Sequence, residues 1–257
     1  MWELIFERYM VFLMIFSRVA GVMLFNPFLS RKSVSVYIRM GLAFFCAFLL
    51  TATLDVPAVD FSNVVIFVLS CIKELFIGFF IGFIMQLFLS GVLLSGEFID
   101  LQLGIGMAKI YDPQSNTSMP ISGSLFNLFF IVSFFAVNGH LTLMKIVFYT
   151  FDLLPPGPTL FNPEAWEYVV VLFGQILVLA LKLAMPIIAI ELVTEVGLGI
   201  LMRTVPQLNV FVVGLQLKLL IGLILIVLVL PGVFSFFDTM LDQMFKDILT
   251  GLRLLGS

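Results

Sequence analysis

Charge is scarce in this sequence: Asp, Glu, Lys and Arg make up 11% of its 257 residues, where a water-soluble domain has about a quarter. That shortage excludes an ordinary soluble globule. The net charge of −3 excludes a basic surface built for nucleic acid. Histidine is scarcer still, since His140 is the only one; it sits in a helix-breaking Asn-Gly-His and reads as a polar turn residue. Cysteine is limited to Cys46 and Cys71, each inside an apolar run, which gives neither a disulfide framework nor metal spacing. Both read as small hydrophobes. No H-E-x-x-H, Walker A or dinucleotide fingerprint occurs, and Gly104-Ile105-Gly106 lacks the preceding strand and third glycine of a phosphate cradle. No catalytic centre, cofactor or metal site is expected.

What the chain has is hydrocarbon. Hydrophobic residues make up 61% of it, with 30 Phe against 5 Tyr and 2 Trp, and the mean hydropathy is +1.19. Apolar stretches run through 10–29, 34–54, 64–94, 119–151, 167–201 and 208–235, each meeting the roughly 20 residues that cross a bilayer. Ten-residue alternating segments do not recur, so the expected class is all-α, a polytopic membrane protein of about six long helical segments. The acids Glu3 and Glu7 and the lack of a small-residue cleavage site make 10–29 a retained span, not a signal peptide. Residues 64–94 and 119–151 are too long for a simple crossing, which predicts kinks or projection beyond the bilayer; Asn138-Gly139-His140 interrupts the second. Pro186 predicts a kink in the fifth span. The tail, 236–257, has Phe237, Leu241, Met244, Ile248 and Leu252 at helical spacing among Asp238, Asp242, Lys246 and Asp247, an amphipathic helix for a membrane surface or a neighbouring subunit.

Loop charges orient the spans. Arg31, Lys32 and Arg39 make the first turn cytoplasmic, the acidic 55–63 and 152–167 linkers face outward, and the turn at Arg203 returns to the cytoplasm. Residues 155–163 hold four prolines and divide the chain into 1–160 and a C-terminal helical hairpin with its tail, 161–257.

Arg18, Arg39, Lys73, Glu74, Lys145, Lys182, Glu191, Glu195 and Lys218 lie within or at the edges of the apolar segments. Such charges snorkel, pair inside the bundle, or face other chains or a wet passage. A hairpin turning near residue 204 puts Glu191 opposite Lys218 and predicts that they pair. A turn near residue 28 puts Arg18 beside Arg39, which repel; their partners must be Glu74, the acidic 97–100 stretch, lipid headgroups or another subunit. The shortage of partners in one chain favours an assembly. Gly78 and Gly82, four apart, let helix backbones approach closely.

Residues 95–120 are the conspicuous polar segment, with Glu97, Asp100 and Gln102 at what should still be membrane depth. They form either an ordinary cytoplasmic loop or a constriction in a conduit, hinged at Gly104 and Gly106. The block GEFIDLQLGIGMAKIYDPQSNTSMP at 96–120, NGHL at 138–141, RTVPQLNVFVVG at 203–214 and SRVAGVMLFNPFLSRKSVSVYIRMGLA at 17–43 resemble the FliR family, the export-gate membrane proteins of flagellar type III secretion, also called SctT. The resemblance implies a FliP-like part, 1–160, followed by a FliQ-like hairpin. It implies assembly with FliP-like and FliQ-like subunits and an FlhB-like protein at the cytoplasmic entrance. The implied conduit passes unfolded flagellar subunits through the inner membrane of the basal body and projects partly out of the bilayer. The family's plug maps onto 104–118, which makes Gly104, Gly106, Met107, Asp112, Pro113, Gln114 and Ser115 gate residues. Arg203 with Pro206, Gln207, Leu208 and Asn209 would lie at the cytoplasmic mouth. The alternatives are the equivalent virulence-system subunit and a self-contained small-molecule or ion transporter; for the latter no related Gly/Pro-broken halves are seen.

Overall fold

The computed structural model describes residues 2–29, 34–53, 64–105, 120–157, 162–204 and 210–256, without the side chains of 2–7 and 210–213. Seven helices account for nearly all of the described residues, and no strand occurs among them. They are α1 (Trp2–Phe25), α2 (Val36–Thr53), α3 (Val64–Gln102), α4 (Ile121–Ala136), α5 (Gly139–Leu153), α6 (Glu164–Thr204) and α7 (Val210–Gly256). Five are long and apolar enough to cross a membrane, and α4 with α5, bent by 67° at the break between them, makes a possible sixth. The bend falls where the sequence places it. Asn138 takes a left-handed conformation at φ 56°, which its short polar side chain tolerates and a β-branched residue would not.

Two sequence expectations need correction. Residues 64–94 belong to one unbroken helix that continues past the end of the apolar stretch to Gln102, so Gly96, Glu97 and Asp100 lie within it. Gly96 survives inside α3 because its bare Cα meets Gly123 of α4, where a side chain would collide with backbone. The tail is not a separate surface helix: 236–256 continues α7. Its apolar face, with Phe237, Met244, Ile248, Leu252 and Leu255 at 0–1% exposure, is buried against the chain itself rather than left for lipid or a neighbour.

The chain divides into two compact units, Met1–Leu87 with Asn138–Leu172 and Asp242–Ser257, and Phe88–Val137 with Phe173–Leu241. In the first unit, α2 packs on α1 through Phe44, whose ring lies 5.3 Å from Phe12 and 6.2 Å from Phe16. Helix α1 packs on α3 at glycines. A Cβ on Gly78 would lie 2.6 Å from the Val22 backbone nitrogen, and one on Gly82 would lie 2.7 Å from the Phe25 backbone. In the second unit, Phe237 of α7 meets Phe126 and Phe130 of α4 at 6.3 and 5.2 Å, edge-on as ring quadrupoles favour.

Candidate functional site

The polar segment of interest leaves α3 at its C-terminus and re-enters at α4, and both ends lie in the second unit. Asp100, in the last turn of α3, is 2% exposed. Its carboxylate accepts the backbone N–H of Ile121 at 2.6 Å and of Ser122 at 3.1 Å, two donors that the first turn of α4 cannot satisfy internally. Pro120, the N-cap residue, offers no side chain to do so. Asp100 is therefore a capping acid supplied from another helix, favoured there also by the helix dipole. With the Gly96–Gly123 contact it clamps the two ends of the segment together. At the α3 terminus Gly104 has φ +77°, the left-handed conformation in which glycine ends a helix without strain. Leu103 is fully buried, and a Cβ on Gly222 of α7 would strike its side chain.

Beside this clamp lies a polar row across three helices. Gln102 donates to Glu195 Oε2 at 3.4 Å, and Lys218 Nζ donates to Glu195 Oε1 at 2.9 Å. The sequence register predicted that Lys218 meets Glu191, but its ion pair is with Glu195, one turn further along. The predicted pairing assumed a turn near residue 204, whereas α6 runs to Thr204 and α7 begins only at Val210. Glu191 is fully buried, and neither of its carboxylate oxygens has a hydrogen-bond partner among the described residues.

The first unit treats its charge differently. Arg18 is fully buried and donates from Nε to Glu74 Oε2 at 2.5 Å, from Nη1 to Thr150 O and Oγ1 at 2.8 and 3.1 Å, and from Nη2 to Leu154 O at 2.7 Å. Its guanidinium also lies 4.2 Å from the centre of the Phe151 ring. Of the sources open to it in the sequence, Glu74 is the one it uses, within the same chain. Lys73 donates to Gly157 O at 2.7 Å, and Arg39 is half-buried near the start of α2.

Gly106, Met107, Asp112, Pro113, Gln114 and Ser115 lie outside the described residues, as do Pro206, Gln207, Leu208 and Asn209. Arg203 is exposed in the last turn of α6. Asp100, Gly96 and Gly123 are site residues that sequence reasoning did not single out as a clamp. A carboxylate capping a helix 21 positions away leaves no local motif, unlike a capping box. The described residues contain no cluster of His, Cys, Asp and Glu able to hold a metal.

The family model for bacterial export proteins, family 1, matches residues 9–244. The chain is 31% identical over 244 residues to the flagellar biosynthetic protein FliR of Escherichia coli, covering 93% of this chain and 92% of that protein. It is 29% identical to FliR of Bacillus subtilis, covering 90% of each. It is also 29% identical to the secretion system apparatus protein SsaT of Salmonella typhimurium, covering 62% of this chain and 61% of that protein.

Proposed function

This chain belongs to the bacterial export proteins, family 1, the family of FliR, and from that premise we propose that it is a non-catalytic subunit of the flagellar type III export gate. In this reading it forms, with FliP-like and FliQ-like subunits and an FlhB-like protein at the entrance, the inner-membrane conduit for unfolded flagellar subunits. Residues 1–160 act as the FliP-like part and 161–257 as the FliQ-like hairpin, whose two helices α6 and α7 follow the proline-rich linker. Helices of 39, 41 and 47 residues, about 60–70 Å long at 1.5 Å per residue, support a body that extends beyond about 30 Å of hydrocarbon.

The observation that carries the plug reading is the clamp of Asp100, Gly96 and Gly123. It fixes Gly96 and Asp100 on the near side of 104–118 against Ile121, Ser122 and Gly123 on the far side. A segment so held can close a passage without being part of the wall. The test is deletion of 110–116 in the assembled complex reconstituted in planar bilayers. Assembly is expected to survive and ion leakage to rise. Unchanged conductance in an intact complex would contradict the plug. The match to SsaT keeps the virulence-type equivalent as a second reading, decided by which substrates the complex exports.

A further inference from the structure

Lys182 is the only charged residue between Glu167 and Glu191, deep inside α6. About 22 Å of helix separates it from the first and about 13 Å from the second. A four-carbon lysine stem is shorter than either distance, so the ammonium cannot snorkel past the apolar stretch to its ends. The side chain is nevertheless exposed. Lys182 belongs to neither the Arg18–Glu74 nor the Lys218–Glu195 ion pair. Its carbonyl is exceptional too. Pro186, four residues on, lies inside the helix and has no N–H to donate back to it.

The surroundings have the form of a helix-packing face. Gly174, Val178, Leu181, Lys182 and Met185 recur on one side of α6, with Val178, Leu181 and Met185 at 49, 44 and 53% exposure, whereas Leu183, Ala184 and Ile187 on the other side are buried. Space beside Gly174 is open, which permits close backbone approach. Acyl chains would leave the ammonium without a partner. Water would lie against three large apolar side chains. A second copy packed symmetrically would bring two Lys182 groups to equal depth, where they repel.

We propose that this face is the interface for a membrane helix of a different subunit that presents an aspartate or glutamate at the depth of Lys182. The inference rests on the gate-subunit reading to the extent that it needs a second kind of chain.

The test coexpresses wild type, Lys182→Arg, Lys182→Leu and Lys182→Glu with the other membrane subunits of the export apparatus. Native mass spectrometry then measures the ratio of complex to free chain. Lys182→Leu is expected to lower that ratio at least about tenfold, because it strands the partner's acid, and Lys182→Glu further. Lys182→Arg should stay within about twofold. A photo-crosslinker at position 182 in the otherwise unaltered chain should join it to a helix of another subunit, which covers the case in which a variant folds poorly. Acid-to-lysine substitution at that contact should restore the Lys182→Glu complex. A Lys182→Leu ratio equal to wild type, with the wild-type complex present, overturns this inference alone. So does crosslinking only to lipid or to a second copy, or labelling of K182C in the complex by a membrane-impermeant thiol reagent. A wild-type chain recovered with no second kind of subunit overturns the gate reading as well.

Discussion

Charges embedded in apolar helices meet opposite fates in the two compact units. In the first, Arg18 uses its guanidinium on Glu74, Thr150 and Leu154, and ties α1, α3 and the end of α5 together. In the second, Glu191 is buried with both oxygens unbonded, Lys182 is exposed in the middle of a span, and Lys218 pairs with a Glu195 side chain that is 55% exposed. Burial is therefore not what separates the two sets, since Arg18 and Glu191 are equally hidden. What separates them is an opposite charge in contact: Arg18 and Glu74 have each other, although Glu74 Oε1 accepts no hydrogen bond, whereas neither Glu191 nor Lys182 is in the Arg18–Glu74 or Lys218–Glu195 ion pair. The Arg18–Glu74 pair holds this chain's own fold, whereas the exposed Lys182 is open to completion by another subunit, as the fully buried Glu191 is not.

The comparison breaks first at Arg18. Arg18→Met leaves Glu74 as an unpaired buried carboxylate and should destabilise the chain by about 3–5 kcal/mol in a detergent unfolding titration. Adding Glu74→Met should recover much of that loss, because the remaining cost of the single variant is the stranded charge. A single variant as stable as wild type would show that the first unit is not held by this pair.

A smaller effect is expected at the clamp. Asp100→Ala removes the cap of α4 and should cost about 1 kcal/mol. It should also raise hydrogen exchange at the Ile121 and Ser122 amides while α1 and α2 keep their protection. Uniform protection across α4 would mean that Asp100 does not hold the segment's exit.

The smallest effect belongs to Lys218→Met. Its pair with Glu195 is partly solvated, so the isolated chain should change by no more than about 1 kcal/mol. A loss as large as that at Arg18 would erase the distinction between the two units.

Much of this architecture was legible in the sequence, because lipid forbids unpaired backbone and every span had to be a helix. The six apolar segments and the break at Asn138 follow from length and punctuation. The extent of the helices did not, since the apolar stretch stops at 94 and Gly96, Glu97 and Asp100 follow it. The Gly123 backbone and the α4 amides, which meet α3 there, are distant in sequence. The register of α6 on α7 was missed by one turn because the turn's position, not its composition, sets which acid meets Lys218. The tail's amphipathic pattern was legible, but periodicity alone cannot say what its apolar face rests on.

The most direct test of the central proposal, that this chain works as one subunit of a larger conduit, is the mass of the intact complex purified from membranes on a tag carried by this chain. The account predicts a hetero-oligomer containing FliP-like and FliQ-like subunits in defined numbers. A monodisperse species containing this chain alone, stable in detergent and conducting solutes once reconstituted, would contradict it.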